Sequence, residues 1–129
     1  MKQLQTLFSC MILLVTLSTN SFAQITTPAA SPGGKIEQRV GLTDIKVDYS
    51  RPSAKGRVIF GADAVVSYGN FWRTGANSAT KISFSEDVTV EGQSLKKGDY
   101  AVLSKPSATT WLVNFYKYDS GNWSAYIEK

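Results

Sequence analysis

Residues 43–50 read TDIKVDYS, and this stretch decides the fold. Ile45, Val47 and Tyr49 alternate with Asp44, Lys46 and Asp48. A period of two places alternate side chains on opposite faces of an extended strand, one toward a core and one toward water. The same alternation returns at 80–85, TKISFS, with Thr80, Ile82 and Phe84 on one face and Lys81, Ser83 and Ser85 on the other.

Working outward, Ile36, Gln38 and Val40 mark a weaker strand, and Val88 with Val90 a short one. Residues 100–103 and 111–116 carry aromatic and branched side chains on both faces, which predicts central places in a sheet. Residues 123–127 are a last strand candidate. Between these segments lie turn formers: Arg51-Pro52-Ser53, Lys55-Gly56, Glu91-Gly92-Gln93, Lys97-Gly98-Asp99, Pro106-Ser107 and Asp119-Ser120-Gly121-Asn122. No sustained helical stripe follows residue 24. The nearest, GADAVVSY at 61–68, predicts at most one helical turn. About seven or eight short strands at this spacing predict an all-β fold, an antiparallel β-sandwich forming one domain over residues 35–129.

The N-terminal segment reads as an export signal. Lys2 precedes an apolar run at 7–17, LFSCMILLVTL, and Ser21-Phe22-Ala23 supplies small residues at a cleavage site. The run is shorter than the roughly 20 residues a membrane span needs. Cys10 lies inside it and not at its end, which argues against lipid attachment. Residues 1–23 are therefore expected to be a signal peptide, leaving a periplasmic or secreted chain with no stable membrane span. Residues 24–34, QITTPAASPGG, hold no charge and read as a flexible leader.

Composition narrows the chemistry. The chain has no histidine, and its single cysteine is Cys10. Ser-His-Asp and Cys-His nucleophiles lack a member, and zinc or copper sites lack their usual ligands. No phosphate-binding glycine loop occurs. A net charge of +4 is spread along the chain, with Lys96-Lys97 the only adjacent basic pair, so no nucleic-acid partner is expected. Glu86-Asp87 reads as a solvated turn, and Lys96-Lys97 as a solvated corner. No catalytic residue, metal site or cofactor is expected. A hydrolase built on Asp48, Asp63 or Asp99 is the only catalytic option left open.

Two basic loops stand out. YSRPSAKGRVIFG at 49–61 brings Arg51, Lys55 and Arg57 together, and FWRTGANSAT at 71–80 sets Arg73 beside Trp72, then Gly75 and Asn77. In one reading these seven residues line a ligand site: the arginines grip a carboxylate or phosphate, and Trp72 or Tyr68 offers a stacking face. In the other, Gly75 and Asn77 accept positive φ, Trp72 anchors the core and Arg73 braces a loop. Residues and spacing leave both open.

PAASP (28–32), EQRVGLTDIKVDYSRPSAKGRVIFG (37–61), YGNFWRTGANSATKISFSEDVTVEGQSLKKGDYAVLSKP (68–106) and W-x-V-x-F at Trp111, Val113 and Phe115 resemble the domain of unknown function 2911 family. The resemblance runs from about Pro28 to Tyr126. It implies an exported, all-β bacterial domain of a kind found largely in the Bacteroidetes, and it implies no activity. Family members commonly have proline where this chain has Ser67 and an acid where it has Ser78. They also run on past the point matching Lys129, so the chain is expected to be truncated and to leave an open sheet edge suited to self-association. The leading expectation is a non-enzymatic module binding a small anionic or saccharide ligand, or a partner protein, through loops 51–57 and 72–77. The alternative is an envelope assembly protein acting through sheet edges, and the third a carboxylate hydrolase.

Overall fold

The computed structural model describes residues 26–128. Nine strands follow in order: β1 Gly33–Val40, β2 Thr43–Ser50, β3 Phe60–Gly61, β4 Val66–Ser67, β5 Thr80–Phe84, β6 Val88–Val90, β7 Gln93–Leu95, β8 Gly98–Pro106 and β9 Trp111–Lys117. Five of them form one antiparallel sheet in the order β1-β2-β5-β8-β9. β6 and β7 form a separate hairpin, and β3 and β4 a short parallel pair. The chain is all-β, as the alternation predicts. Its sandwich is not closed among the described residues, because only the two small strand pairs and the loops supplement the main sheet. Residues 1–23, expected from the sequence to be a signal peptide, lie outside the described residues.

Charge fixes the register at one side of the sheet. Lys35, Glu37 and Arg39 on β1 stand directly opposite Asp48, Lys46 and Asp44 on β2. Each opposed pair is also an ion pair, at 3.2, 2.9 and 3.8 Å respectively. A slip by one residue would break all three and turn the apolar side chains to the wrong face. Lys81, opposite Asp48 on β5, extends the ladder with contacts to Asp48 at 3.5 Å and Asp99 at 4.0 Å.

Burial pushes the Asp48 carboxyl up, but the hydrogen bonds and charges of Lys35 and Lys81 outweigh it and hold the group below its usual range. A folded-state pKa below the unfolded value adds stability that is present above about pH 4 and lost as pH falls through the folded value. Asp48→Asn should therefore flatten the acid limb of a melting-temperature profile between about pH 5 and 3. The effect at pH 7 should stay under about 1 kcal/mol, because these pairs are largely solvated. An unchanged acid limb would refute this role.

The same face turns apolar toward β8. Ala101 and Leu103 are fully buried there and pack with Ala79 and Tyr126, while Phe71, Tyr116, Tyr118 and Trp123 close the cluster's margin. This is the core that holds the site.

Four sequence expectations need correction. Residues 123–127 are not a strand: Trp123–Tyr126 is a 3₁₀ turn, with Asn122 Oδ1 accepting from Ser124 N at its start. Residues 61–68 make no helical turn but run from β3 to β4. Residues 111–116 are not central. β9 is an edge strand whose Trp111, Leu112 and Val113 are exposed, and its two apolar faces do not reflect burial on both sides. The leader ends at Pro32, because Gly33 and Gly34 already belong to β1. Gly34 lies under the Tyr49 ring, and a Cβ there would sit 2.7 Å from Tyr49 Cζ. Missing side chains, read as flexibility in the sequence, here make room for an aromatic neighbour.

Candidate functional site

The candidate site is a cavity of about 930 Å³ beside the 69–76 segment, walled on its other side by residues 52–60. Local backbone chemistry shapes both walls. Lys55 and Gly56 hold φ of 48° and 74°, and Arg57 N donates to Ala54 O at 3.0 Å. Positive φ at both central residues is the signature of a type I′ turn. The opposite wall enters the main sheet at Trp72, which exchanges both backbone hydrogen bonds with Ser104 at 2.8 and 2.9 Å.

Beyond that bridge the chain bends at Thr74, whose φ is 54°. A β-branched residue there is strained by about 1–2 kcal/mol. Its hydroxyl lies 3.1 Å from Ser104 Oγ, and its carbonyl accepts from Thr80 Oγ1 at 2.9 Å, which holds the bend. Gly75 is needed for closeness and not for positive φ, correcting the expectation. A Cβ there would lie 3.1 Å from Thr80 Oγ1 and 3.4 Å from Ser50 O. Asn77 does take positive φ, at 60°.

Of the seven expected site residues, the fold brings Arg57, Trp72, Arg73 and Gly75 to the cavity. Arg51, Lys55 and Asn77 are not in its lining. Arg51 reaches Gly33 O at 3.5 Å, and Asn77 Nδ2 donates to Ser31 O at 3.2 Å and Ser50 Oγ at 3.3 Å, so both tie the start of β1 down. Lys55 is exposed on its turn. Arg57 is also spent on structure: its Nε and Nη2 donate to Ala54 O and Ser53 O, each at 3.0 Å. Trp72 donates Nε1–H to Gly75 O at 3.0 Å and meets Phe60 and Trp111 edge-on, at 5.3 and 6.1 Å between centroids. Its role is the anchor.

Arg73 differs. Its Nε is buried, and no group among the described residues accepts from it. Its Cζ lies 5.7 Å from the centre of the Trp123 ring, within cation–π reach. Asp48 is held by Lys35 and Lys81 and not by Arg73. A buried guanidinium N–H without an acceptor costs about 1–3 kcal/mol, so the position favours any anion that supplies one.

Trp123, Phe60, Phe71, Ile59 and Val66 also line the cavity and were not marked as site residues in the sequence. For Trp123 the available signal was Asn122 two residues before Ser124, an Asx cap that the strand reading overlooked. Two carboxylates, Asp48 and Asp87, behave as scaffold. Asp48 is held low, the opposite of what a general acid requires. Asp87 is lowered by the Lys96 side chain at 2.8 Å and the Lys97 N–H at 2.9 Å, so it clasps the chain after the β6–β7 hairpin.

No helix among the described residues is long and apolar enough to cross a membrane. No curated protein and no solved structure matches the chain. One family model, described as "Protein of unknown function (DUF2911)", matches residues 31–129. Its span includes every strand and both cavity walls, and the chain belongs to the DUF2911 family.

Proposed function

We propose that this chain is an exported, non-enzymatic binding module that takes a small acidic ligand with a sugar or other flat apolar face. The observation that carries the reading is Arg73: a buried, unpartnered Nε beside the Trp123 ring, in a cavity with mainly aromatic and aliphatic walls. The carboxylate or phosphate accepts from the guanidinium, and the flat face lies against an aromatic wall. The strained Thr74 bend next door supports this, since such strain recurs where a side chain is aimed at a ligand. Arg57 and Trp72 keep the two walls in place.

The test is calorimetry and thermal shift with sugar acids, sugar phosphates and their neutral parent sugars. An acid should bind and raise the melting temperature where its neutral parent does not. Arg73→Ala should weaken it by about ten- to a hundredfold, the loss of one charge-assisted hydrogen bond. If no acid binds, or if the variant binds as tightly as the wild type, the reading is wrong. Export is checked separately by the mass of the protein recovered outside the cytoplasm, which should begin at Gln24. A chain retained with Met1 would exclude it.

A further inference from the structure

The outer edge of β9 is exposed independently of the cavity. The hydrogen-bond phase of the sheet shows which groups it offers. Ser104 spends its N–H and C=O on Trp72, so they point away from β9, and Ser104 and its cross-strand partner Val113 form a non-hydrogen-bonded pair. Tyr118 N donates to Asp99 O at 2.9 Å, which gives the same phase from the other end. Trp111, Val113, Phe115 and Lys117 therefore aim their backbone N–H and C=O groups outward, and nothing among the described residues pairs with them.

The two sheet edges differ in chemistry. β1 carries Lys35, Glu37 and Arg39, the charges by which natural edges discourage pairing. β9 carries one charge, Lys117, at its end. Trp111, Leu112 and Val113 are 46%, 57% and 48% exposed, a run of three consecutive uncovered apolar residues. Such a run in an ordered strand calls for a function.

We propose that β9 pairs antiparallel with β9 of a second copy of this chain about a two-fold axis at Asn114, joining two sheets into one. The phase permits this register, and it uses the whole strand. Trp111 then faces Lys117 of the partner subunit, Leu112 faces the partner's Tyr116, and Val113 faces the partner's Phe115. Each uncovered apolar side chain gains an aromatic or aliphatic neighbour, and the lysine meets an indole and not its own copy. The outward-pointing residues meet one another, so their backbone groups are satisfied reciprocally. Asn114 falls on the axis, where its Nδ2, buried without an acceptor among the described residues, can swing about the Cβ–Cγ bond toward the partner's amide. A self-complementary patch of this kind closes as a dimer and does not propagate.

The test is sedimentation velocity of the chain from about 10 to 500 µM, bracketing the weak affinity typical of a small, transient interface. It is combined with a register-specific cross-link. The wild type should pass from monomer to dimer over that range. Val113→Asp, a substitution at an exposed position, should raise the dissociation constant by roughly a hundredfold by setting a carboxylate against the negative face of an aromatic ring, with an unchanged melting temperature. In a Cys10→Ser background, Asn114→Cys should form a disulfide-linked dimer, because partners in a non-hydrogen-bonded pair lie about 4.5 Å apart at Cα. Leu112→Cys should not, since its copies lie roughly four residues out of register, about 14 Å apart. A chain that stays monomeric, a dimer indifferent to Val113→Asp, or cross-linking that is absent at 114 or equal at 112 would overturn the proposal.

Discussion

Leu103→Ala should lower the stability of this domain by about 2–5 kcal/mol, the range for emptying a fully buried leucine site. The melting temperature should fall by at least about 8 °C, since each kcal/mol is worth roughly 4–8 °C in a domain of this size. Leu103 has no exposed surface and lies where the charged face of the sheet becomes apolar. Its neighbours come from three places: Ala101 from β8 itself, Ala79 from the approach to β5, and Tyr126 from the 3₁₀ turn. Ala101 is held in the sheet and Ala79 N donates to Gly121 O at 3.2 Å, so they cannot collapse freely into the space and most of the cavity term should persist. Leu112→Ala, on exposed β9, is the control and should change stability by no more than about 0.5 kcal/mol. Equal melting temperatures for the two variants would show that the core is not centred on Leu103.

Tyr126→Phe should cost about 2–3 kcal/mol, more than the deletion of one oxygen at an exposed site ever does. The Tyr126 ring is 2% exposed, and its hydroxyl is a hub. It accepts from Asp119 N at 3.1 Å and Ser120 N at 2.9 Å, and it donates to Ser120 O. Phenylalanine keeps the ring against Tyr116, 5.7 Å away between centroids, and removes only the hydrogen bonds. The cost is then that of backbone groups left unpaired, and it should appear as faster amide exchange at Asp119 and Ser120. Because Trp123 is placed by the same turn, the variant should also disturb the ring facing Arg73. Wild-type exchange at both amides would refute the hub.

The fold class was legible because alternation is a local property. Ile45, Val47 and Tyr49 need only their own neighbours in sequence to declare a strand, and the predicted limits of β5 and β6 agree with the structure. The turn at Glu91-Gly92 was equally local: Gly92 takes its φ of 79° at no steric cost, and Glu91 is carried with it to 48° by the two-residue hairpin. The mistakes have a common origin. A strand that is apolar on both faces can be central or can be an edge awaiting cover, and β9 is the second. Gly33-Gly34 can be flexible or can seat a ring, and only Tyr49, opposite Gly34 across the sheet, decides.

The sequence by itself determined an all-β chain, its turn chemistry, the exclusion of histidine-based chemistry, and the candidacy of Arg73. Tertiary structure decided which arginine is available. Arg51, Arg57 and Arg73 have the same side chain and similar loop surroundings in sequence, but their acceptors come from the fold: Gly33 O across the sheet end, Ser53 and Ala54 carbonyls presented by a tight turn, and, among the described residues, none for Arg73 Nε. Hydrogen-bond satisfaction depends on where distant backbone groups arrive in space, and a linear pattern of residue types does not carry that information.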